Sequence, residues 1–354
     1  MIYFLLFFFV PALADVVTRI TETEYYDSVK YPYYMVLNDG NVIPTPAFGT
    51  FTPYESIRNS NAIEEAVITA IESGYRHIDT APMYYTEDDV GRAIKNVTDR
   101  GIVCRDELFI TTKLDLRVND TEGVIPALQR SLDRLMLDYV DLYIIHFAGS
   151  LDGGADYDIL AQWRGLEEAQ KIGLTVSIGV SNFNSSHINK ILTYGNIRPA
   201  VNQIEINPTY TELELAAYCF HQGIAVTALG PHGYMVPRPY ADVTLAPRFN
   251  DPILKNIASR YGKTTNQVVL RYLIDRGTIP IPQSTNKTHI QENIDLFNFR
   301  LTREEIYLIN NFNKNKAVYP IDDPAADLVI LNYSYGCNAT AFSDVVNCIF
   351  ENLS

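Results

Sequence analysis

Short apolar runs rich in β-branched residues recur along the chain, and each run ends in polar or turn-forming residues. Runs of this kind are typical of strands buried on both faces of a parallel sheet. The pattern predicts eight strands, at 47–50, 77–80, 108–112, 139–145, 176–180, 200–206, 225–229 and 278–282.

Between these strands, apolar residues recur every three or four positions, which is the period of an amphipathic helix. The period predicts helices over 61–72, 122–137, 157–171, 185–194, 211–222, 264–276 and 302–312. Because strands that alternate with helices pair in parallel, eight such units favour an α/β fold closed as a (β/α)8 TIM barrel. An open doubly wound sheet is the alternative, and no G-x-G-x-x-G motif follows any predicted strand to support it.

Distinct segments precede and follow the predicted barrel. Two apolar runs flank Asp39 and Gly40, which is typical of an N-terminal β-hairpin that we expect to close the bottom of the barrel. The residues beyond 312 are rich in Asp and Asn. We therefore predict a signal peptide at 1–14, a lead-in at 15–34, the barrel at 35–312 and an exposed C-terminal tail at 313–354.

The N-terminus carries an unbroken apolar run, followed by small residues up to Ala14. This pattern predicts a cleaved secretory signal peptide, which is too short to span a membrane, and hence a secreted glycoprotein. N-glycosylation sequons begin at Asn96, Asn119, Asn184, Asn286, Asn332, Asn338 and Asn352. An oxidising compartment also allows a disulfide between Cys337 and Cys348, with two free thiols as the alternative.

The chain is acidic, with 42 Asp and Glu against 28 Lys and Arg and a formal net charge of −14. No basic run is available to displace counterions from phosphates, so general nucleic-acid binding is excluded. Any anionic cofactor must be held by helix N-termini and a few side chains. None of the four cysteines has metal-ligand spacing, so we predict no metal site.

Polar side chains stand where the predicted strands stop, and in a β/α barrel these positions form the rim on which active sites assemble. A single polar residue there is usually a helix cap, whereas a set of five different strand ends indicates a site. The strand-end residues are Asp79, Lys113, His146, the pair Ser181 and Asn182, and Gln203.

The residue types at this rim predict a proton-transfer chemistry. A buried Asp79 fixes the ammonium of Lys113, and a cation beside a tyrosine lowers the pKa of its hydroxyl from about 10. Tyr84, five residues after Asp79, is the expected proton donor to a developing alkoxide, and His146 is expected to orient a carbonyl. The spacing alone leaves Tyr85 as an alternative donor.

Six segments in order along the chain together resemble the aldo-keto reductase superfamily, over about residues 36–312. They are GYRHIDTAPMY at 74–84, TTKL at 111–114, DLYIIH at 141–146, GVSNF at 179–183, NQIE at 202–205, and IPQS with EN at 281–293. The resemblance implies a TIM barrel, NADPH-dependent carbonyl reduction and a catalytic tetrad of Asp79, Tyr84, Lys113 and His146. Other segments look most like the insect branch, in which some members reduce 3-dehydroecdysone, so an ecdysteroid is a candidate substrate by analogy.

The resemblance also implies the residues that hold the cofactor and the substrate. Those expected at the cofactor are Gly49, Thr50, Asp79, Ser181, Asn182, Gln203, Leu229, Gly230, His232, Gln283, Ser284, Thr285, Asn286, His289, Glu292 and Asn293. Those expected at the substrate are Phe51, Tyr84, His146 and Phe147.

Several of these positions depart from the family pattern. Phe51 and Phe147 replace the usual tryptophans of the substrate mouth, and Leu229 replaces a tyrosine that stacks on the nicotinamide. Gln283 and His289 replace the Lys and Arg that contact the 2′-phosphate of NADP. We therefore expect NADPH to be the cofactor, with a weaker preference over NADH than usual.

Two classes of function remain from the sequence. The first is a secreted carbonyl reductase that acts on a small-molecule aldehyde or ketone as a monomer. The second is a secreted barrel that binds an apolar ligand with little or no turnover. An ion-channel auxiliary subunit of the same fold is disfavoured by the predicted signal peptide.

Overall fold

The computed structural model describes residues 33–148, 158–237, 244–245 and 247–319. The predicted signal peptide, most of the predicted lead-in, Cys337, Cys348 and the three sequons of the tail lie outside these residues.

Eight parallel strands form one sheet whose hydrogen-bonded order follows the order of the chain. Ala47 N donates to Pro280 O at 3.0 Å and Gly49 N to Pro282 O at 3.0 Å, so the first and last strands meet and the barrel is closed. The predicted (β/α)8 fold is confirmed. The strands are β3 (Phe48–Gly49), β4 (His77–Asp79), β5 (Phe109–Lys113), β6 (Val140–Ile145), β7 (Thr175–Ser181), β8 (Val201–Glu205), β9 (Ala225–Leu229) and β10 (Ile279–Pro280).

The predicted hairpin is present as β1 (Tyr33–Val36) and β2 (Val42–Thr45), which pair antiparallel. Gly40 has a φ of 88° in the turn between them, a conformation that glycine adopts at little cost. Leu37 and Ile43 pack with the inward residues at the N-terminal ends of the barrel strands, so the hairpin closes the bottom. Strand β1 starts at Tyr33, two residues before the predicted barrel boundary at 35.

The helices surround the barrel, and the seven predicted from their apolar period are all present. The structure also has helices at Glu55–Arg58, Glu87–Asp99, Pro252–Tyr261 and Lys287–Ile294. The helices are α1 (Glu55–Arg58), α2 (Ala62–Glu72), α3 (Glu87–Asp99), α4 (Val124–Leu135), α5 (Ile159–Lys171), α6 (Ser185–Tyr194), α7 (Leu213–His221), α8 (Pro252–Tyr261), α9 (Thr265–Asp275), α10 (Lys287–Ile294) and α11 (Arg303–Asn310).

Helix α3 contains Gly91, a residue that weakens an isolated helix by about 1 kcal/mol relative to alanine. In the structure this glycine lies against the end of α4, and a Cβ added to it would stand 2.5 Å from Arg134 O. The two helix backbones can therefore approach closely only because residue 91 has no side chain. Close packing between helices, rather than local propensity, explains this position.

Candidate functional site

The predicted strand-end residues lie together at the carboxyl end of the barrel. Asp79 ends β4, Lys113 ends β5, His146 follows β6, Ser181 ends β7 and Gln203 lies in β8. Because neighbouring strands are parallel and in register, their carboxyl ends converge on one rim.

A buried ion pair forms the centre of the site. Lys113 Nζ donates to Asp79 Oδ1 at 2.7 Å and to Thr80 O at 3.0 Å. Gln203 Nε2 donates to the second carboxylate oxygen of Asp79 at 2.7 Å. The side chains of Lys113 and Asp79 are 0% and 4% exposed. Burial lowers the pKa of the Lys113 ammonium, and the attraction of Asp79 counteracts this effect.

Tyr84 lies directly above this pair, in a short 3-10 turn that follows β4. The Lys113 Nζ lies 4.7 Å from the centre of the Tyr84 ring, and the His146 and Phe51 rings lie 5.7 Å and 5.2 Å from it. The residue as a whole is partly exposed, whereas its hydroxyl is buried.

The neighbouring tyrosine has a different environment. Tyr85 adopts a left-handed φ of 55°, and the charges that act on its hydroxyl belong to Arg117, Arg58 and Asp115. Burial raises the pKa of Tyr85 to about 12. The geometry thus places Tyr84, and not Tyr85, beside Lys113 and His146.

The pKa of Tyr84 is raised in this structure, and not lowered as the sequence led us to expect. Desolvation raises the pKa of Tyr84 well above its usual value, and the negative charge of Asp79 and the neighbouring Tyr319 raise it further. The ammonium is paired with Asp79, and the negative charge of that carboxylate acts on the same phenol and adds to the effect of burial. Tyr84 is therefore a neutral phenol that carries a transferable proton.

His146 is buried and neutral at pH 7. Desolvation, followed by the charge of Lys113, holds its pKa well below the usual 6.5. Its Nδ1 has no hydrogen-bond partner among the described residues. Its ring stacks on Phe147 at 4.6 Å, and its backbone oxygen accepts from Asn182 Nδ2 at 3.0 Å. A neutral imidazole in this position has one N–H available to a carbonyl oxygen.

Several of the expected cofactor residues form a connected polar network. Asn182, with a left-handed φ of 61°, also donates to Ser181 Oγ, and Ser181 Oγ donates to Gln203 O, each at 3.0 Å. Thr50 Oγ1 donates to Asp79 O at 3.1 Å, next to Gly49. These bonds join the ends of several strands and hold amide and hydroxyl groups around the ion pair.

The other expected cofactor residues lie at the ends of β9 and β10. Leu229 ends β9, Gly230 has a φ of 56°, and His232 lies two residues further on.

The remaining expected cofactor residues lie after β10, at the start of α10 and within it. Gln283 and Ser284 are partly exposed, and Thr285, Asn286 and His289 are exposed. Asn286 Oδ1 caps this helix by accepting from Thr288 N and His289 N. Hydroxyl and amide groups at an exposed helix N-terminus fit a phosphate, without a fixed positive charge from 283 or 289. The last two expected residues, Glu292 and Asn293, lie within the helix.

One aromatic side chain of the site, Tyr319, was not predicted from the sequence. Within the predicted exposed tail, residues 314–316 are exposed, whereas residues 317–319 are partly or fully buried on the rim of the barrel. A Cβ added to Gly230 would lie 3.2 Å from the Tyr319 ring, and that ring lies 6.3 Å from the Phe51 ring. No sequence period links Tyr319 to either residue, so only the folded structure reveals this contact.

Two further properties concern only the described part of the chain. It contains no helix long and apolar enough to cross a membrane. It also contains no group of three or more His, Cys, Asp or Glu side chains that could hold a metal ion.

Comparison with known proteins gives consistent matches. Residues 47–314 match the sequence profile of the aldo/keto reductase family. The aldo-keto reductase AKR2E4 of Bombyx mori is 50% identical over 293 residues, covering 81% of this chain and 94% of the relative. The crystal structure of that protein in complex with NADP superposes with a TM-score of 0.79 at 48% identity, covering 84% and 97% of the two chains. The aldo-keto reductase AKR2E5, crystallised with NADPH, gives a TM-score of 0.79 at 36% identity, covering 83% and 91%.

Proposed function

Because the chain belongs to the aldo/keto reductase family, we propose that it reduces an aldehyde or ketone to an alcohol with NADPH. The observation that carries the proposal is the buried Asp79–Lys113 pair beneath a neutral Tyr84 and a neutral His146. Two similar proteins that were crystallised with NADP or NADPH support the choice of cofactor.

The residues of the site divide the reaction between them. NADPH, when bound, supplies the hydride that reaches the carbonyl carbon. His146 donates a hydrogen bond to the carbonyl oxygen and orients it. Tyr84 then transfers its proton to that oxygen as negative charge develops there, which yields the alcohol. The Lys113 ammonium, fixed by Asp79, stabilises the phenolate that Tyr84 becomes.

We assign the cofactor to the polar rim and to the start of α10. Ser181, Asn182 and Gln203 are suited to the nicotinamide amide because they present amide and hydroxyl groups. Residues 229–232 and 283–289 are suited to the phosphates, since they include a glycine with positive φ and a helix N-terminus. The lack of Lys or Arg at 283 and 289 supports a weaker preference for NADPH over NADH than in relatives with both cations.

We propose that the substrate is a ketone or aldehyde with an apolar, steroid-like body, an ecdysteroid being one candidate. Three aromatic side chains near the donor support this: Phe51, Phe147 and Tyr319. A panel of ketones of increasing size, compared by kcat/KM, tests it, and a preference for short polar aldehydes would contradict it.

The catalytic proposal is tested by Tyr84→Phe, with Tyr85→Phe as the matched control. Tyr84→Phe removes the transferable proton but keeps the ring, so kcat is expected to fall by about 10²–10⁴-fold while the Kd for NADPH stays nearly constant. Tyr85→Phe is expected to retain most of the activity. If Tyr84→Phe remains fully active, another group is the donor. If the wild type binds NADPH and reduces no carbonyl, the alternative of a ligand-binding barrel without turnover is preferred.

We also propose that the protein is secreted, on the evidence of its sequence alone. The apolar run 1–10 followed by small residues to Ala14 supports cleavage at that position, and the clustered sequons support glycosylation. N-terminal sequencing of protein from the culture medium tests this. An intact Met1 on the mature protein would contradict it.

A further inference from the structure

The segment 313–319 is attached to the rim by a series of hydrogen bonds. Lys314 N and Lys316 N donate to Thr209 O at 3.0 and 3.3 Å. Tyr234 Oη donates to Ala317 O at 2.7 Å. The segment therefore contacts both the loop after β8 and the loop after β9, which follow two of the strands that build the proposed site.

The end of this segment is held by one buried carboxylate. Glu205, the last residue of β8, is 4% exposed. Its Oε1 accepts from Val318 N at 2.7 Å, and its Oε2 accepts from Tyr319 N at 2.7 Å. Asn207 Nδ2 also donates to Oε1, at 2.8 Å. Because each carboxylate oxygen accepts from one of two successive backbone N–H groups, Glu205 fixes the direction of the chain at this point.

This attachment determines where the Tyr319 ring lies. The ring packs over Gly230 and stands nearly perpendicular to the Phe51 ring. Phe51 also contacts the ring of Tyr84, with the two ring centres 5.2 Å apart. Tyr319 therefore borders the space from which a substrate approaches the proton donor.

We propose that Glu205 is a positioning residue that fixes Tyr319 as an aromatic wall of the substrate mouth. The wall favours carbonyl compounds with a flat, rigid apolar body, because a fixed aromatic face offers contact area without loss of side-chain freedom. This inference rests on the proposed reductase function. It adds a role for Glu205, the carboxylate that holds this segment on the rim.

The attachment itself is tested without any activity measurement, by hydrogen exchange of the Val318 and Tyr319 amides. Glu205→Gln keeps the shape but replaces one acceptor by an NH₂ group, which faces a backbone N–H. We expect these amides to exchange about tenfold faster or more, since local opening becomes easier. The control is Glu214→Gln on the exposed face of α7, which changes the net charge equally and should leave the exchange unchanged. Unchanged exchange in Glu205→Gln would overturn the positioning role.

The wall is tested by the ratio of kcat/KM for a polycyclic ketone to that for a short aliphatic aldehyde. Tyr319→Ala and Glu205→Gln should each lower this ratio by about tenfold, mainly through a higher KM for the ketone. Tyr319→Phe retains the ring and should restore the ratio.

The outcomes separate the two proposals. If Tyr319→Ala leaves the kcat/KM ratio unchanged, the proposal that Tyr319 forms a wall of the substrate mouth is overturned. It is also overturned if this variant binds NADPH more weakly and shows no higher KM for the ketone, because the ring then faces elsewhere. If the wild-type protein reduces neither the ketone nor the aldehyde, the proposed function is contradicted. The hydrogen-exchange experiment still decides whether Glu205 holds the segment 313–319.

Discussion

The Asp79–Lys113 pair gives the sharpest prediction, because each charge is buried and depends on the other. Lys113→Met removes the cation with little change in volume and leaves Asp79 with the amide of Gln203 and no positive charge at 2.7 Å. Asp79→Asn leaves a buried ammonium whose strongest acceptor has become neutral. In both variants the remaining charge has almost no access to water.

The magnitude follows from this burial. Removal of one member of a buried ion pair costs about 3–5 kcal/mol, because the remaining charge is desolvated without compensation. The double variant Asp79→Asn with Lys113→Met contains no buried charge here. We expect it to cost no more than either single change, so the coupling free energy is about 3 kcal/mol or more. A solvent-exposed pair would show a coupling of less than about 1 kcal/mol.

The assay is equilibrium urea unfolding of the wild type, the two single variants and the double variant at pH 7. All three variants should lose reductase activity. The double variant should nevertheless lose no more stability than either single variant, so it distinguishes the effect on activity from the effect on stability. The exposed pair Lys95–Asp99 on α3 provides the control cycle, with 62% exposure of both side chains. If the losses of unfolding free energy in Asp79→Asn and Lys113→Met simply add in the double variant, the argument is refuted that each charge is tolerated in the core only because of the other.

Three further predictions concern the cofactor, the helix packing and the pH dependence. Gln283→Lys should strengthen NADPH binding by about tenfold, as judged by fluorescence titration, and leave NADH nearly unchanged. Gly91→Ala should lower the free energy of unfolding by about 1–3 kcal/mol, since its Cβ meets Arg134 O, whereas Lys95→Ala on the same helix should not. Burial lowers the pKa of His77 to about 4, below the unfolded value near 6.5, so the unfolded state binds the extra proton first. Stability should therefore fall by up to about 3 kcal/mol as the pH drops from 6.5 to 4, and His77→Gln should flatten this slope in unfolding experiments.

Periodicity made the fold accessible from the sequence. The alternation of apolar runs and helical spacing is a local property, and it located all eight strands and most helices. Positions such as Asp79 and Lys113 were found because they interrupt that pattern where a strand ends. Helix α3 was missed although Val90, Ala93, Ile94 and Val97 have helical spacing. Its interior glycine is explained only by the contact with α4.

Contacts between distant parts of the chain were not accessible in this way. Glu205 and Tyr319 are more than a hundred positions apart, and neither has a neighbour in sequence that indicates the other. The choice between Tyr84 and Tyr85 was open for a related reason. Two adjacent tyrosines have the same spacing from Asp79 to within one residue, and only the backbone turn at Tyr85, with its positive φ, decides which ring reaches Lys113.

The sign of the pKa shift at Tyr84 shows why residue types alone do not determine chemistry. From the sequence, a lysine beside a tyrosine favours phenolate. In the structure the same lysine is paired with Asp79, and burial of the phenol opposes ionisation, so the net effect is reversed. A neutral phenol is the form that a proton donor needs before reaction. The Lys113 ammonium lies 4.7 Å from the centre of the Tyr84 ring, where its charge favours the phenolate that the donor becomes. This role explains why a buried cation, costly in the resting protein, lies beneath the donor.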